Sequence, residues 1–178
     1  MKHRHKTLRH HKGFTLVETL IYVAIIGGVV TTFVNFGLSV TNSRNKTYVV
    51  QEVQANVRTV EDLVSRRIRA ATGINTSTSV FGSNPGILSL SMASAGLNPT
   101  VIALNEDNGI LEIKEGTNAS TTITTAKVNV TNLVFTNLTA SSTRENIGIA
   151  MTIEYNNPSE DVYFLVSQTV TTSVSLRQ

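Results

Sequence analysis

Between Phe14 and Val40 the chain carries no charged residue except Glu18. At about 1.5 Å per residue, a helix over this run is long enough to cross the ~30 Å hydrocarbon core of a bilayer. The run is apolar on every side, so such a helix has no polar face to turn to water and needs lipid or similar helices around it. A carboxylate inside a segment of this kind is expensive, and by default it marks function. Glu18 lies near the very start of the span, directly after Gly13-Phe14-Thr15-Leu16-Val17.

Two ordinary explanations of a basic start followed by an apolar run compete here. A secretory signal is cut after its apolar core, at a small-residue site; in this chain the glycine precedes the apolar run. A plain single-pass anchor explains the span but gives no reason for Glu18 to follow Gly-Phe-Thr-Leu-Val. The stretch Gly13 to Glu18 closely resembles the processing site of type IV prepilins and pseudopilins, and Thr15, Leu16 and Val17 fit that family's pattern. The resemblance implies that a membrane prepilin peptidase/N-methyltransferase cleaves between Gly13 and Phe14 and methylates the new N-terminus, Phe14. It implies that Glu18 guides assembly, neutralised by the N-terminal amine of a neighbouring pilin or pseudopilin subunit. The implied partners are those subunits, the processing enzyme, an inner-membrane assembly platform, and membrane lipid before assembly. The motif itself spans about six residues, and it is nearly silent about which filament system is served.

Charge sets the expected topology. Before Gly13 lie Lys2, Arg4, Lys6, Arg9 and Lys12, with the four histidines His3, His5, His10 and His11. Beyond the span only Arg44 and Lys46 are close to it. This asymmetry keeps the leader in the cytoplasm and exports the rest. Of 15 Lys+Arg, five lie in the leader, so the remainder has 10 against 12 Asp+Glu, a side-chain sum of −2. The basic pI of about 9.4 therefore belongs to the precursor, and a nucleic-acid partner inferred from it would be an artefact of a removed segment. The histidines read as a solvated tail rather than a metal site. There is no cysteine, so disulfides, thiol nucleophiles and thiolate metal sites are excluded. Many major pilins close a C-terminal loop with a disulfide, and this chain departs from that pattern.

Beyond Thr41-Asn42-Ser43-Arg44-Asn45-Lys46 a second pattern begins. Val49, Val53, Val57, Val60, Val64, Ile68 and Ala71 are spaced by three or four residues, one stripe on an α-helix. Glu52, Asn56, Glu61, Asp62, Ser65, Arg66 and Arg69 fall on the opposite side, with Asp62 and Arg66 placed for an i,i+4 ion pair. Gly73 is the expected stop. A single helix from Phe14 to Thr72 is thus predicted, apolar all round in its first half and amphipathic in its second. It contains no proline to kink it, and Gly27-Gly28 permits close helix approach.

From Ile74 on, Thr, Ser, Asn and Val dominate. Strands are predicted over Ile87 to Met92, Thr100 to Leu104, Ile110 to Lys114 and Val128 to Phe135, with Asn108-Gly109 as a hairpin turn. Ile147, Ile149, Met151, Ile153 and Tyr155 alternate as a half-buried strand. Asn156 to Asp161 reads as a loop and Val162 to Leu176 as one long extended segment. Thr117 to Thr125 reads as an exposed loop or edge strand, and Gly73 to Gly86 as a linker. The expected fold class is α+β, a long N-terminal helix packed on a C-terminal antiparallel β-sheet. The expected organisation is a removable leader over 1–13, a transmembrane and assembly half over 14–40, an amphipathic half over 41–72, and a β-rich exported head over 73–178.

The head offers little chemistry. It has neither His nor Cys, which removes Ser-His-Asp and Cys-His catalysis and the usual zinc sites. Glu106-Asp107 and Glu160-Asp161 are conceivable calcium loops, but neither has the spacing of one and solvated acidic turns account for both. No glycine-rich phosphate cradle appears. After Gly73 the basic residues are Lys114, Lys127, Arg144 and Arg177, too sparse for a phosphate track. No catalytic residue, cofactor or nucleic-acid partner is expected. The reading is a non-enzymatic structural subunit of a type IV pilus-like filament or of a secretion or competence pseudopilus. The large head and the helix end Arg66-Arg67-Ile68-Arg69-Ala70-Ala71 favour a minor pseudopilin, of J type, over a major pilin. The alternative is a surface-binding head, adhesin-like or DNA-binding, on a pilin stem. That role calls for an exposed aromatic or basic patch, whereas Phe81, Phe135, Tyr155, Tyr163 and Phe164 mostly fall where a core would use them.

Overall fold

A computed structural model describes residues 13–140 and 144–177; the segment before Gly13, expected to be a leader, lies outside the described residues. One helix, α1, runs from Leu16 to Ala70. It contributes to two structural units that meet between Ser43 and Arg44.

In the first unit α1 is uncharged apart from Glu18 and exposed along its length, with Phe33 at 73% and Ile26 at 61%. Its window of mean hydropathy 2.0 is long and apolar enough to cross a membrane. The hydroxyls of Thr31, Thr32 and Thr41 donate to the carbonyls of Gly27, Gly28 and Gly37 at 2.8, 2.9 and 3.0 Å. Each hydroxyl is thereby satisfied within the helix, as an apolar surrounding requires.

In the second unit the expected stripe is the buried one: Val49, Val53, Val57, Val60, Val64 and Ile68 are all at most 3% exposed. Asp62 and Arg66 form their ion pair at 2.6 Å on the exposed side. Asn56 departs from expectation, because it is 5% exposed rather than on the solvent side. It flanks the stripe, and its amide finds partners across the interface: Thr125 N–H donates to Oδ1 at 2.9 Å and Nδ2 donates to Thr125 Oγ1 at 3.3 Å. Gly73 is not a left-handed cap, since its φ is not positive. The helix instead closes with Ala71 N–H on Ile68 O at 3.2 Å, and Thr72 N–H already bonds Ser91 O at 2.8 Å. The chain enters the sheet with no turn between, so no glycine conformation is needed.

The β-region forms two antiparallel sheets rather than one. The first has the order β1 (Gly73–Ile74), β2 (Ile87–Ser91), β3 (Thr100–Asn105), β4 (Ile110–Glu115), β5 (Thr121–Thr122). The second consists of β6 (Val128–Asn137), β7 (Asn146–Tyr155) and β8 (Ser167–Ser175). Residues 73–86 are not a free linker: β1 pairs with β2, Val80 bridges Ile87, and Gly82 and Gly86 donate to Phe135 O and Leu133 O at 2.9 and 2.7 Å. Gly86 is buried there, and a Cβ on it would stand 3.1 Å from the Leu133 carbonyl and the Phe135 ring. The β3–β4 hairpin closes from Asn105 to Ile110, with Gly109 at φ +66 as its turn demands. Val130 N–H donates to Gly109 O at 2.8 Å. These loop contacts cover the outer side of β6.

The core is shared by helix and both sheets: Val60 and Ile68 lie in one cluster with Leu88, Ile102, Leu111, Leu133, Phe135, Ile147 and Ile153. Each such side chain contributes about 1.5–3 kcal/mol by leaving water. The expected extended run 162–176 begins instead with a short 3₁₀ turn, Val162–Phe164. Asp161 accepts from Tyr163 N–H at 3.0 Å and so starts the turn. β8 is uncharged, free of proline, and has one neighbour, β7, among the described residues.

Candidate functional site

Gly13, Phe14 and Thr15 precede the helix and are exposed. Helix α1 starts where Thr15 lets it. The Thr15 hydroxyl accepts Glu18 N–H at 3.2 Å, and the Thr15 carbonyl accepts Thr19 N–H at 3.2 Å. Thr15-Leu16-Val17-Glu18 is therefore an N-cap of the form Thr-x-x-Glu, a feature worth about 1 kcal/mol to a helix. It also places the only carboxylate of the apolar span in the first turn, where the helix dipole favours negative charge.

Glu18 is half-buried by its own helix, while Leu16 and Val17 are 81% and 66% exposed. The Tyr22 hydroxyl donates to Glu18 Oε1 at 3.4 Å. The Phe14 ring meets the Tyr22 ring edge-on, with centroids 6.4 Å apart at 72°. The motif residues from Gly13 to Glu18 thus fall at one helix start. The cap role of Thr15 and the contacts of Tyr22 were not anticipated; the signals were the Thr-x-x-Glu spacing and the i,i+4 spacing of Glu18 and Tyr22.

In the head, the acidic pairs lie in loops organised by asparagines. Beside Glu106-Asp107, Asn105 Oδ1 accepts Asp107 N–H at 3.1 Å and Asn108 Oδ1 accepts Ile110 N–H at 3.0 Å. Glu160 has φ 51, and Asp161 is used as the cap described above. Among the described residues no three His, Cys, Asp or Glu side chains gather as metal ligands. A polar node ties α1 to the segment before β6. Lys127 Nζ donates to Tyr48 OH at 2.6 Å and lies 3.5 Å from Glu52. The bond to Tyr48, then the Glu52 charge, hold the Lys127 pKa above 10.5. Of the aromatics expected in the core, Phe135 is fully buried, but Tyr163 is 45% exposed beside Val162 at 76% and Leu165 at 63%. The 3₁₀ turn, which an extended run would not have produced, turns these three outward.

Compared with known protein families, residues 8–31 match the family described as the prokaryotic N-terminal methylation motif. No curated protein and no solved structure matches the chain. The match spans the basic residues just before Gly13, the Gly13–Phe14 pair, Glu18 and the first part of the apolar helix, and it points to a structural protein rather than an enzyme. Over this N-terminal segment the chain is similar to type IV prepilins and pseudopilins, whose methylation motif it carries.

Proposed function

We propose that this chain is a minor pilin or pseudopilin, of J type, in a type IV pilus-like filament or a secretion or competence pseudopilus. Prepilin peptidase removes residues 1–13 by cutting between Gly13 and Phe14, and Phe14 becomes the methylated N-terminus. The subunit then waits in the cytoplasmic membrane on residues 14–40, with its head exported. On assembly Glu18 meets the N-terminal amine of a neighbouring subunit. In a low-dielectric setting that attraction strengthens, but it offsets desolvation only when both charges meet in good geometry. Glu18 accordingly sets register, and apolar packing along 14–40 supplies most of the cohesion.

The observation that carries this reading is a capped helix start at Thr15 that opens directly into an uncovered apolar span whose one charge is Glu18. Intact-mass analysis of the mature chain and of Glu18→Ala tests it. Both are expected to begin at methylated Phe14 and to reside in the membrane, with Glu18→Ala incorporated into filaments at least tenfold less. A persistent uncut precursor, or normal incorporation of Glu18→Ala, refutes it.

The exposed Val162, Tyr163 and Leu165 favour one second reading, a protein-binding head on a pilin stem, because they concentrate apolar surface in four residues. Replacing all three with serine would then abolish partner binding while leaving filament incorporation intact.

A further inference from the structure

We propose that Tyr22 is a positioning residue for Glu18: it holds one carboxylate oxygen and seats the Phe14 ring, leaving the second oxygen open to an incoming amine. This rests on the assembly role given to Glu18 above. A carboxylate among apolar side chains needs a donor. The hydroxyls on its own turn are bonded to backbone groups and not to the carboxylate. Thr15 Oγ1 accepts the Glu18 N–H, and Thr19 Oγ1 donates to Thr15 O at 3.3 Å. Tyr22, one turn further on and on the same face, is the side-chain donor to the carboxylate among the described residues.

At 3.4 Å the contact is long for an O–H···O bond, so its value lies in orientation more than in strength. A neutral hydroxyl orders the carboxylate without cancelling its charge. The long Glu18 side chain thereby has its rotamer chosen before the neighbour arrives, which lowers the ordering cost of the encounter. The same ring keeps Phe14, the first residue of the processed chain, against the helix rather than free in lipid.

Tyr22→Phe isolates the idea, because it keeps the ring and its contact with Phe14 and removes only the hydroxyl. In the full, processed chain at limiting expression, filament incorporation should fall about three- to tenfold, the range of one modest hydrogen bond. The level of mature subunit in the membrane should not change. Infrared difference spectra in lipid bilayers give the second readout. Wild type minus Glu18→Gln isolates the Glu18 carboxylate band, and the same difference in the Tyr22→Phe background should show that band shifted. An unshifted band overturns the positioning role. Wild-type incorporation of Tyr22→Phe beside a defective Glu18→Ala also overturns it, and leaves the assembly reading standing. Normal incorporation of Glu18→Ala overturns both.

Discussion

Asn56→Ala tests how the amphipathic half of α1 is locked to the sheets. The amide is 5% exposed and bonds Thr125 in both directions, with Oδ1 accepting the backbone N–H at 2.9 Å and Nδ2 reaching Oγ1 at 3.3 Å. Alanine removes both bonds to Thr125 at about 1 kcal/mol each. It also removes the Nδ2 bonds to Glu52 O at 2.9 Å and Glu52 Oε1 at 3.4 Å, which add little because they lie within the helix at its exposed edge. It returns about 0.6 kcal/mol as the better helix former. The net expected loss is about 1–2 kcal/mol. For a folded unit of this size that lowers the melting temperature by about 3–7 °C. Thermal unfolding of the full chain in detergent micelles, followed by near-ultraviolet tyrosine dichroism, reads the shift. Hydrogen exchange locates it, because the Thr125 amide should lose protection before its neighbours. If Asn56→Ala melts at or above the wild-type temperature, or if Thr125 exchange is unchanged, the reasoning fails, and Asn56 is simply a polar residue that tolerates burial.

Two further outcomes follow from packing and charge. Gly86→Ala places a Cβ 3.1 Å from the Leu133 carbonyl and the Phe135 ring, so chemical denaturation should show a loss of about 1–3 kcal/mol; an unchanged midpoint would mean the strand yields freely. The pKa of Lys127 is raised in the folded state, so its contribution is present in full below pH 10.5 and is lost as pH rises through the higher folded value. Lys127→Met should therefore flatten the stability profile on the alkaline side of pH 10.5 and leave its slope near neutrality unchanged.

Much of the helix was readable because its physics is local. Val49 through Ile68 repeat at helical spacing, and one buried face is all that packing on a sheet requires. Strand β7 was readable for the same reason at period two, with Ile147, Ile149, Met151 and Ile153 all buried. What escaped depends on residues far apart in the chain. The division into two sheets turns on Gly86 and Gly109 meeting β6, which no window around either glycine displays. Asn56 was assigned to solvent by residue type, while its place at the edge of the stripe left the choice to Thr125, 69 residues away. Gly73 looked like a stop because glycine commonly is one, yet strand pairing with Ser91 arrives before any turn is needed. At the N-terminus the motif from Gly13 to Glu18 stood out in one dimension. The Tyr22 contacts needed the helix to bring residues eight apart, Phe14 and Tyr22, against each other.

The register of β7 with β8 leaves one side of the head unfinished. Tyr155 N–H reaches Val166 O and Leu176 N–H reaches Glu145 O, so even-numbered residues of β8 turn their backbone groups inward. Ser167, Thr169, Thr171, Ser173 and Ser175 turn theirs to water. Elsewhere the margins are guarded: β1 and β5 are two residues long, and loops cap β6. Here, among the described residues, no second strand pairs with the outer side of this nine-residue ribbon, which has no lysine, proline or bulge to discourage a newcomer. A lysine at Thr169 or Thr171 would act as a bumper on that ribbon without disturbing the greasy interior behind it.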